Sequence, residues 1–284
     1  MSSLEADLAR WREHLNRFAV LLGNPPDRPA TPAAEPHPGH CLIFAPHPDD
    51  ECIVGALPLR LQREAGWRIS NVAVTLGSST ERREARRAEL LAACDVLGFD
   101  CLAVGAEGLS DVRPDTAQRD PALWASHVAV IAALLAAHRP ALVLAPHALD
   151  DNPSHRGVYR LVVDALAAAR SDTVLALTEF WSTQDQPNAL VQTGIADTAR
   201  LIAALERHTG EIARNPYHLR LPAFLADSVR RGGELVLGAG EAPPDFAFAT
   251  LYRLVECRAG RLAADLPRRV FPADQALTSA LLKP

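Results

Sequence analysis

Lysine, methionine and aromatic residues are scarce in this sequence of 284 residues: Lys283 is its one lysine, and Phe, Trp and Tyr together make up 5%. We attribute the scarcity of lysine to codon bias, because no chemical function excludes lysine so completely. The net charge is −5 and the pI is about 6.1, which argues against a protein that neutralises nucleic-acid phosphates. No apolar run approaches the ~20 residues of a membrane helix, so we expect no membrane span.

Several motifs are also missing. The five cysteines include no CxxC pair and are odd in number, which favours buried free thiols in a reducing compartment over a disulfide framework. The sequence has no GxSxG elbow, which makes a serine or cysteine hydrolase a poor alternative. The first residues, MSSLEADLAR, are acidic where a secretory signal would be basic. These absences predict a cytoplasmic protein.

Composition divides the chain into three parts. Apolar residues at spacings of three and four predict an amphipathic helix within residues 1–22, and the many prolines of residues 23–40 predict a linker. We expect the helix to pack on the main domain as an arm. An arm for subunit contact, which would make the protein a homo-oligomer, is the alternative. Residues 41–284 are then predicted to form a single domain.

Short apolar runs alternate with helical stretches from residue 41 onward. The predicted strands are 41–46, 69–77, 141–146 and 173–181. The predicted helices are 52–66, 81–98, 121–138, 155–170 and 197–213. This alternation indicates a Rossmann-like, three-layer α/β/α fold with a mostly parallel sheet. Ligands bind at the carboxyl ends of the strands in such sheets, so the chemistry is expected there.

Three ionisable residues follow the first predicted strand, in the segment APHPDDE over residues 45–51. A histidine and a carboxylate three positions apart, His47 and Asp50, can reach one metal ion. Asp49 must then point elsewhere and is free to take a proton from a metal-bound water. The alternative is that the aspartates cap the following helix. A cap does not need His47, however, nor two prolines in one turn.

A second polar cluster follows the strand at 141–146, on the same edge of the sheet. His155 opens the next helix and is the preferred third ligand, and His147 and Asp150 could orient it. Asn152 has an amide donor that could stabilise a developing oxyanion. Taken singly, the other polar residues of this loop, Asp151 and Ser154, are explained by helix capping. Two such clusters at neighbouring strand ends favour a metal-dependent hydrolase.

Both clusters resemble motifs of the PIG-L/LmbE-type deacetylases, zinc enzymes that remove acetyl from N-acetylglucosamine conjugates. The family motif (A/P)HPDDE stands here as APHPDDE, and PHxxDxHPDH is matched in register by PHALDDNPSH. The resemblance implies an LmbE-like fold, metal ligands at His47, Asp50 and His155, and a general base at Asp49. It implies zinc as the cofactor, although a site with two His and one Asp also takes Fe²⁺ or Co²⁺.

The resemblance runs from about residue 41 to at least residue 181, with two departures in the second motif. Asn152 stands where the family usually has histidine, and Ser154 stands where it usually has aspartate. That pair is thought to stabilise the tetrahedral intermediate. The departures therefore concern oxyanion stabilisation, and they leave the implied metal ligands untouched.

The resulting hypothesis is a zinc-dependent N-deacetylase that acts on an amino-sugar conjugate. A sugar- or metabolite-binding protein that retains the metal without turnover is the alternative, motivated by Asn152. Further residues are candidates for substrate contacts. Trp181 could stack on a sugar ring, His208 could lie near the site, with the surface of a helix as its alternative position, and Arg83 or Arg86 could reach an anionic group.

Overall fold

The structure, a computed structural model, describes residues 3–24 and 38–277. The helices are α1 (Ser3–Leu21), α2 (Ala56–Ala65), α3 (Arg83–Leu97), α4 (Thr116–Arg119), α5 (Pro121–His138), α6 (Pro153–Ala169), α7 (Ile195–Leu205), α8 (Thr209–Arg214) and α9 (Tyr217–Gly232). The strands are β1 (His40–Ala45), β2 (Arg68–Ala73), β3 (Asp100–Leu102), β4 (Leu142–Pro146), β5 (Thr173–Thr178), β6 (Ala189–Gln192), β7 (Ala249–Arg258), β8 (Arg261–Asp265) and β9 (Arg269–Phe271).

These strands form one sheet in the order β3-β2-β1-β4-β5-β7-β6-β9, and β8 pairs with β7. Strands β1 to β5 run parallel, whereas β7 is antiparallel to both β5 and β6. The chain runs outward from β1 through β2 to β3 and then returns, so that β4 pairs with the other side of β1. Such a reversal opens a crevice between the carboxyl ends of the two central strands, here β1 and β4.

Strand β1 shows why helices cover both faces of the sheet. Cys41 and Ile43 belong to one apolar cluster with residues of α2, α3 and α7, whereas Leu42 and Phe44 belong to a second cluster with residues of α5 and α6. All four side chains are fully buried. A strand that is apolar on both faces needs a helical layer on each. The predicted Rossmann-like, three-layer α/β/α fold with a mostly parallel sheet is therefore confirmed.

Some predicted boundaries are wrong near the crevice. Strands β2 and β5 end at Ala73 and Thr178 rather than at residues 77 and 181, because the chain leaves the sheet there to line the cleft described below. The helix predicted over 197–213 is two helices, α7 and α8, separated by a turn that contains His208. The antiparallel β7 and its neighbours gave only a weak strand pattern in the sequence.

Helix α1 packs on the main body of the protein. Trp11 and Leu15 are buried in the same apolar cluster as α7, and the Arg10 guanidinium lies 3.0 Å from the Glu206 carboxylate just after α7. These contacts are those expected of an arm that packs on its own chain, and they do not require a second subunit. Residues 25–37 of the predicted linker lie outside the described residues. The division into arm, linker and domain and the homo-oligomer stay predictions.

Among the helices of residues 3–24 and 38–277, one, α5, is long enough and apolar enough to cross a membrane by length and composition. The expectation that no apolar run approaches this length is therefore too strong. One face of α5 buries Trp124, Ile131 and Leu135 against α6 and the sheet. A helix that packs on a protein core passes the same test of composition, so the predicted absence of a membrane span stays a prediction.

Gly157 determines how closely α6 approaches the loop before α4. A Cβ at this position would lie 2.3 Å from the Val112 carbonyl oxygen, which is backbone and cannot rotate away. We expect Gly157→Ala to lower the free energy of unfolding by about 1–3 kcal/mol, measured by urea denaturation. Gly232→Ala on α9 is the comparison and is expected to cost less, because its Cβ would meet methyl groups of Leu190. Equal stability of Gly157→Ala and the unmodified protein would contradict this close approach.

Candidate metal centre and cleft

The loops after β1 and β4 bring His47, Asp50 and His155 together at the crevice. One potential ligand atom from each lies within 4.8 Å of those of the other two. Asp50 Oδ2 is the shared partner: it lies 3.3 Å from His47 Nδ1 and 3.5 Å from His155 Nε2, and it accepts the His47 backbone N–H at 2.8 Å. Two imidazoles and one carboxylate form a donor set common in catalytic zinc sites. These residues therefore fit a divalent cation.

Asp150 determines which nitrogen of His155 is available to a metal. The Nδ1 of His155 lies 3.0 Å from Asp150 Oδ2. A carboxylate accepts hydrogen bonds only, so Nδ1 carries a proton, and in the neutral ring Nε2 then keeps its lone pair on the side of Asp50. The second oxygen of Asp150 accepts the backbone N–H of Asn152 at 2.8 Å. Asp150 thus has the orienting position that the sequence suggested for it.

Asp49 lines the cleft on a strained backbone. Its φ is 116°, a left-handed value that residues other than glycine rarely adopt. Its backbone N–H donates to Glu51 Oε2 at 3.0 Å, and its side chain makes no capping hydrogen bond to the 3₁₀ turn Asp50–Cys52. The structure therefore gives no support to a capping role for Asp49. With this backbone conformation, Asp49 lines the cleft beside the candidate metal ligands.

The two adjacent aspartates have opposite electrostatic environments. Burial, and then the negative charges of Asp50 and Glu51, raise the pKa of Asp49 well above its usual value. Burial also acts to raise the pKa of Asp50, but His155 and His47 outweigh it, and the pKa of Asp50 is lowered. Two neighbouring carboxyl groups whose pKa values are shifted in opposite directions suit different tasks, one as a proton carrier and the other as an anionic ligand.

His208 is not on a helix surface, which is the position that its chemistry alone favoured. It is fully buried in the turn between α7 and α8, and its Nε2 lies 2.6 Å from Glu51 Oε1. Glu51 is also fully buried, and its other oxygen accepts the N–H of Asp49. His208 therefore contacts the site through Glu51. The sequence signal for Glu51 was its place at the end of APHPDDE, beside residues whose chemistry was easier to recognise.

Two predicted residues of the second loop have other partners in the structure. His147 is buried and does not line the cleft, and its Nε2 lies 2.9 Å from the backbone oxygen of Ser182. Asn152 lines the cleft and is also the N-cap of α6, because its Oδ1 accepts the backbone N–H of Ser154 at 2.9 Å. Capping was predicted for Asp151 or Ser154 instead. The Asn152 amide nitrogen keeps its two N–H donors.

Of the predicted substrate contacts, the structure brings Trp181 to the cleft and leaves Arg83 outside it. The Trp181 ring lies 5.1 Å from that of Tyr217 in a stacked arrangement, and both rings line the cleft. Arg83 donates to Glu107 at 2.6 Å and lines a separate depression. Its neighbours Arg82 and Arg86 line the cleft instead. The sequence could not separate these arginines, because the charged run 81–89 has the pattern of a solvated helix face.

Residues 42–166 match the family profile PIG-L, described as GlcNAc-PI de-N-acetylase. This segment of the chain is similar to the PIG-L family. The matched segment includes both loops of the metal centre, so the resemblance seen in the sequence motifs is confirmed. No curated protein sequence matches the chain.

Solved structures similar to the chain share its fold at low sequence identity. They include the conserved protein TT1542 from Thermus thermophilus, with 22% identity, a TM-score of 0.53 and coverage of 75% of this chain and 92% of that one. GalB, the 4-carboxy-2-hydroxymuconate hydratase from Pseudomonas putida, has 19% identity, a TM-score of 0.57 and coverage of 80% and 100%. An N,N'-diacetylchitobiose deacetylase from Pyrococcus horikoshii has 15% identity, a TM-score of 0.55 and coverage of 78% and 84%. A deacetylase and a hydratase thus share this fold, so function must be argued from the site.

The buried contact between His208 and Glu51 gives a test of stability. His208→Leu would leave the Glu51 carboxylate buried without one of its partners, so we expect the free energy of unfolding to fall by about 3 kcal/mol. Chemical denaturation followed by circular dichroism measures it. Glu13→Gln, which breaks the exposed pair of Glu13 and Arg17 on α1, is the control and should cost less than about 1 kcal/mol. Similar losses in the two variants would show that the buried contact has no special importance.

Proposed function

We propose that this protein is a metal-dependent N-deacetylase that acts on N-acetylglucosamine-type conjugates. The observation that carries the proposal is the cluster of His47, Asp50 and His155 beside the unengaged carboxylate of Asp49, in a cleft of about 600 Å³. Two comparisons support it. The matching family profile is described as a de-N-acetylase of GlcNAc-PI, and one similar fold is that of a diacetylchitobiose deacetylase.

The proposed metal ligands are His47, Asp50 and His155. When bound there, a divalent cation would supply a Lewis acid and would acidify a coordinated water. Zinc fits this donor set, and Fe²⁺ and Co²⁺ are alternatives for the same ligands. Asp150 keeps His155 in the tautomer that can ligate, because it accepts the proton-bearing Nδ1.

Asp49 is the proposed proton carrier. Its carboxylate lines the cleft next to the ligands without being tied to a cap, whereas Oδ2 of Asp50 is already shared by both histidines. Asp49 can therefore take up a proton on a carboxylate oxygen as water attacks the amide carbonyl, and can then donate it to the leaving amine. The hydrogen bond from its backbone N–H to Glu51 helps to fix the backbone from which this side chain extends.

Asn152 and Trp181 are proposed to contact the substrate. Capping of α6 occupies Oδ1 of Asn152, which leaves the amide N–H groups as donors to the oxyanion that develops on the carbonyl oxygen. Trp181 provides a flat apolar surface at the cleft, which suits the face of a sugar ring.

A binding protein without turnover is the second candidate. The observation that favours it is the position of Asn152. Its side chain caps helix α6 at a position where the family usually has a histidine that is thought to stabilise the tetrahedral intermediate. A panel of N-acetylated glycoconjugates, incubated with metal-loaded protein and assayed for free acetate, separates the two candidates. Release of acetate would rule out the hypothesis of a binding protein without turnover.

Metal binding is tested directly on purified protein by elemental analysis. We expect about one divalent cation per chain, and expect His155→Ala to lower the occupancy at least about tenfold, because it removes a ligand from a set of three. His14→Ala removes an exposed imidazole of α1 and should leave the occupancy unchanged. Full occupancy in His155→Ala would overturn the proposed ligand set.

The role of Asp49 is tested by Asp49→Asn. We expect the metal content to stay at the level of the unmodified protein and acetate release to fall by about 10²–10⁴-fold, because an amide cannot take up the proton. Asp185→Asn, an exposed change outside this cleft, is the control and should keep its turnover. Full activity of Asp49→Asn would remove Asp49 from the mechanism.

A further inference from the structure

Two of the five cysteines lie close together outside the cleft. Cys94 is in the last turn of α3 and is 2% exposed, whereas Cys101 is on β3 and is partly exposed. All five cysteines are free thiols in the structure. Neither Cys94 nor Cys101 lines the cleft, so the pair has no part in the proposed deacetylation.

A tight reversal at the end of α3 brings the two cysteines together. The chain turns at Gly98, whose φ of 74° is a left-handed value that suits glycine. The backbone N–H of Phe99 then donates to the carbonyl oxygen of Cys94 at 2.9 Å. Strand β3 begins at Asp100. Cys101 therefore follows the reversal directly and returns to the helical turn that contains Cys94.

Asn71 shows that both sulfur atoms lie on the same face of the sheet. It pairs with Cys101 in the parallel ladder between β2 and β3, and paired residues of neighbouring strands point to one face. The Asn71 side-chain nitrogen lies 3.9 Å from Cys94 Sγ. Cys94 belongs to the apolar cluster on this face, and Cys101 packs against the same cluster. The two thiols form a hydrogen bond with Cys94 as donor, so small rotations of the side chains bring the sulfurs into bonding contact.

The two thiols differ in reactivity because their surroundings differ. The hydrogen bond from Cys94 lowers the pKa of Cys101, and the Arg87 guanidinium acts in the same direction, although burial and Glu51 oppose them. The same hydrogen bond, together with burial, raises the pKa of Cys94. Cys101 also lines a surface depression of about 150 Å³, beside Arg87 and Leu90. A small oxidant can therefore reach Cys101 as a thiolate, while Cys94 stays protonated behind it.

We propose that Cys94 and Cys101 are a reversible redox pair, which a hydroperoxide converts into a disulfide that links the end of α3 to β3. Both thiols stay reduced in a reducing compartment until an oxidant reaches Cys101. The inference does not depend on the proposed deacetylase function, because neither thiol lines the cleft.

The proposed reaction has two steps and consumes one hydroperoxide. The Cys101 thiolate attacks a peroxide oxygen, so that an S–O bond forms and the O–O bond breaks, and the leaving oxyanion takes up the proton that Cys101 had released. The Cys94 sulfur then attacks the sulfur of the resulting sulfenic acid. An S–S bond forms, the S–O bond breaks, and hydroxide leaves with the Cys94 proton as water. The two thiols lose two electrons, and hydrogen peroxide is reduced to two molecules of water.

Cys52 is the alternative partner for Cys94, because it is the other thiol whose charge acts on Cys94. It is fully buried, and its thiol donates to Glu51 Oε1 at 3.4 Å. Burial, and then the charge of Glu51, raise the pKa of Cys52 well above its usual value. Cys52 does not line the depression that exposes Cys101. We therefore expect Cys52 to stay reduced.

Thiol counting on the purified, unmodified protein tests the proposal. In denaturant, the reduced protein should show all five thiols, and protein treated briefly with hydrogen peroxide should show two fewer. The intact mass should fall by two hydrogen atoms, and peptide mapping without reductant should find a cross-link between Cys94 and Cys101. Dithiothreitol should restore the lost thiols, which distinguishes a disulfide from sulfinic and sulfonic acids.

Variants separate the roles of the two thiols. Cys94→Ala removes the resolving thiol, so Cys101 should stop at the sulfenic acid, which dimedone labels. Cys101→Ser removes the attacking thiolate, and all its remaining thiols should stay reduced. Cys257→Ser is the control, because Cys257 lies on β7 with its Sγ 3.6 Å from the Ser171 carbonyl oxygen, and it should still form the disulfide. Circular dichroism checks that each variant is folded.

Two kinds of result would overturn the proposal. One is a full set of thiols in the unmodified protein after peroxide treatment that oxidises free cysteine in solution. The other is a disulfide with different partners, either through Cys52 or between two copies of the chain. Neither measurement depends on metal loading or on acetate release, so failure of this inference is distinguishable from failure of the proposed deacetylase function.

Discussion

One carboxylate oxygen joins the two halves of the candidate site. Oδ2 of Asp50 accepts the backbone N–H of His47, faces the ring of the same histidine, and lies 3.5 Å from the ring of His155 on the neighbouring strand's loop. The loops can meet there because β1 and β4 are adjacent and parallel, so that both end at one edge of the sheet. Neighbouring residues fix the groups around this oxygen. Asp150 contacts Nδ1 of His155, and Glu51 accepts the backbone N–H of Asp49.

Support for this centre comes from residues that do not line the cleft. Glu51 holds the N–H of Asp49, and His208 holds Glu51 from the turn after α7. Helix α7 is itself covered by α1. A chain of packed or hydrogen-bonded groups therefore runs from the N-terminal helix to the proposed proton carrier. Precise placement of a catalytic side chain requires this kind of support, because a misplacement of about 1 Å costs large factors in rate.

Much of the fold and the centre of the site could be predicted from the sequence, for physical reasons. Buried parallel strands are short, apolar and regularly spaced, so β1, β2, β4 and β5 were visible, and polar residues directly after β1 and β4 had to meet at one edge. The antiparallel strands lacked such a pattern. His208 could not be placed, because the hydrogen-bonding contact that links it to the candidate site is with a residue 157 positions away. The sequence left Arg83 and Arg86 as alternatives, because the position of a residue within a helical turn decides which arginine of a run faces the cleft, and it is Arg86 that does.

Gly77 lies against the guanidinium group of Arg86, and Gly210 lies against that of Arg82. These contacts can be used to compare related sequences. At position 77 the backbone has a φ of 86° and the arginine occupies the space of a side chain, so two independent constraints require glycine there. A homologous chain with any other residue at position 77 cannot hold an arginine at position 86 in this way. Joint presence of glycine at 77 and 210 with arginine at 86 and 82 is therefore a four-position signature. It would divide related sequences by the geometry of their clefts without a structure of each.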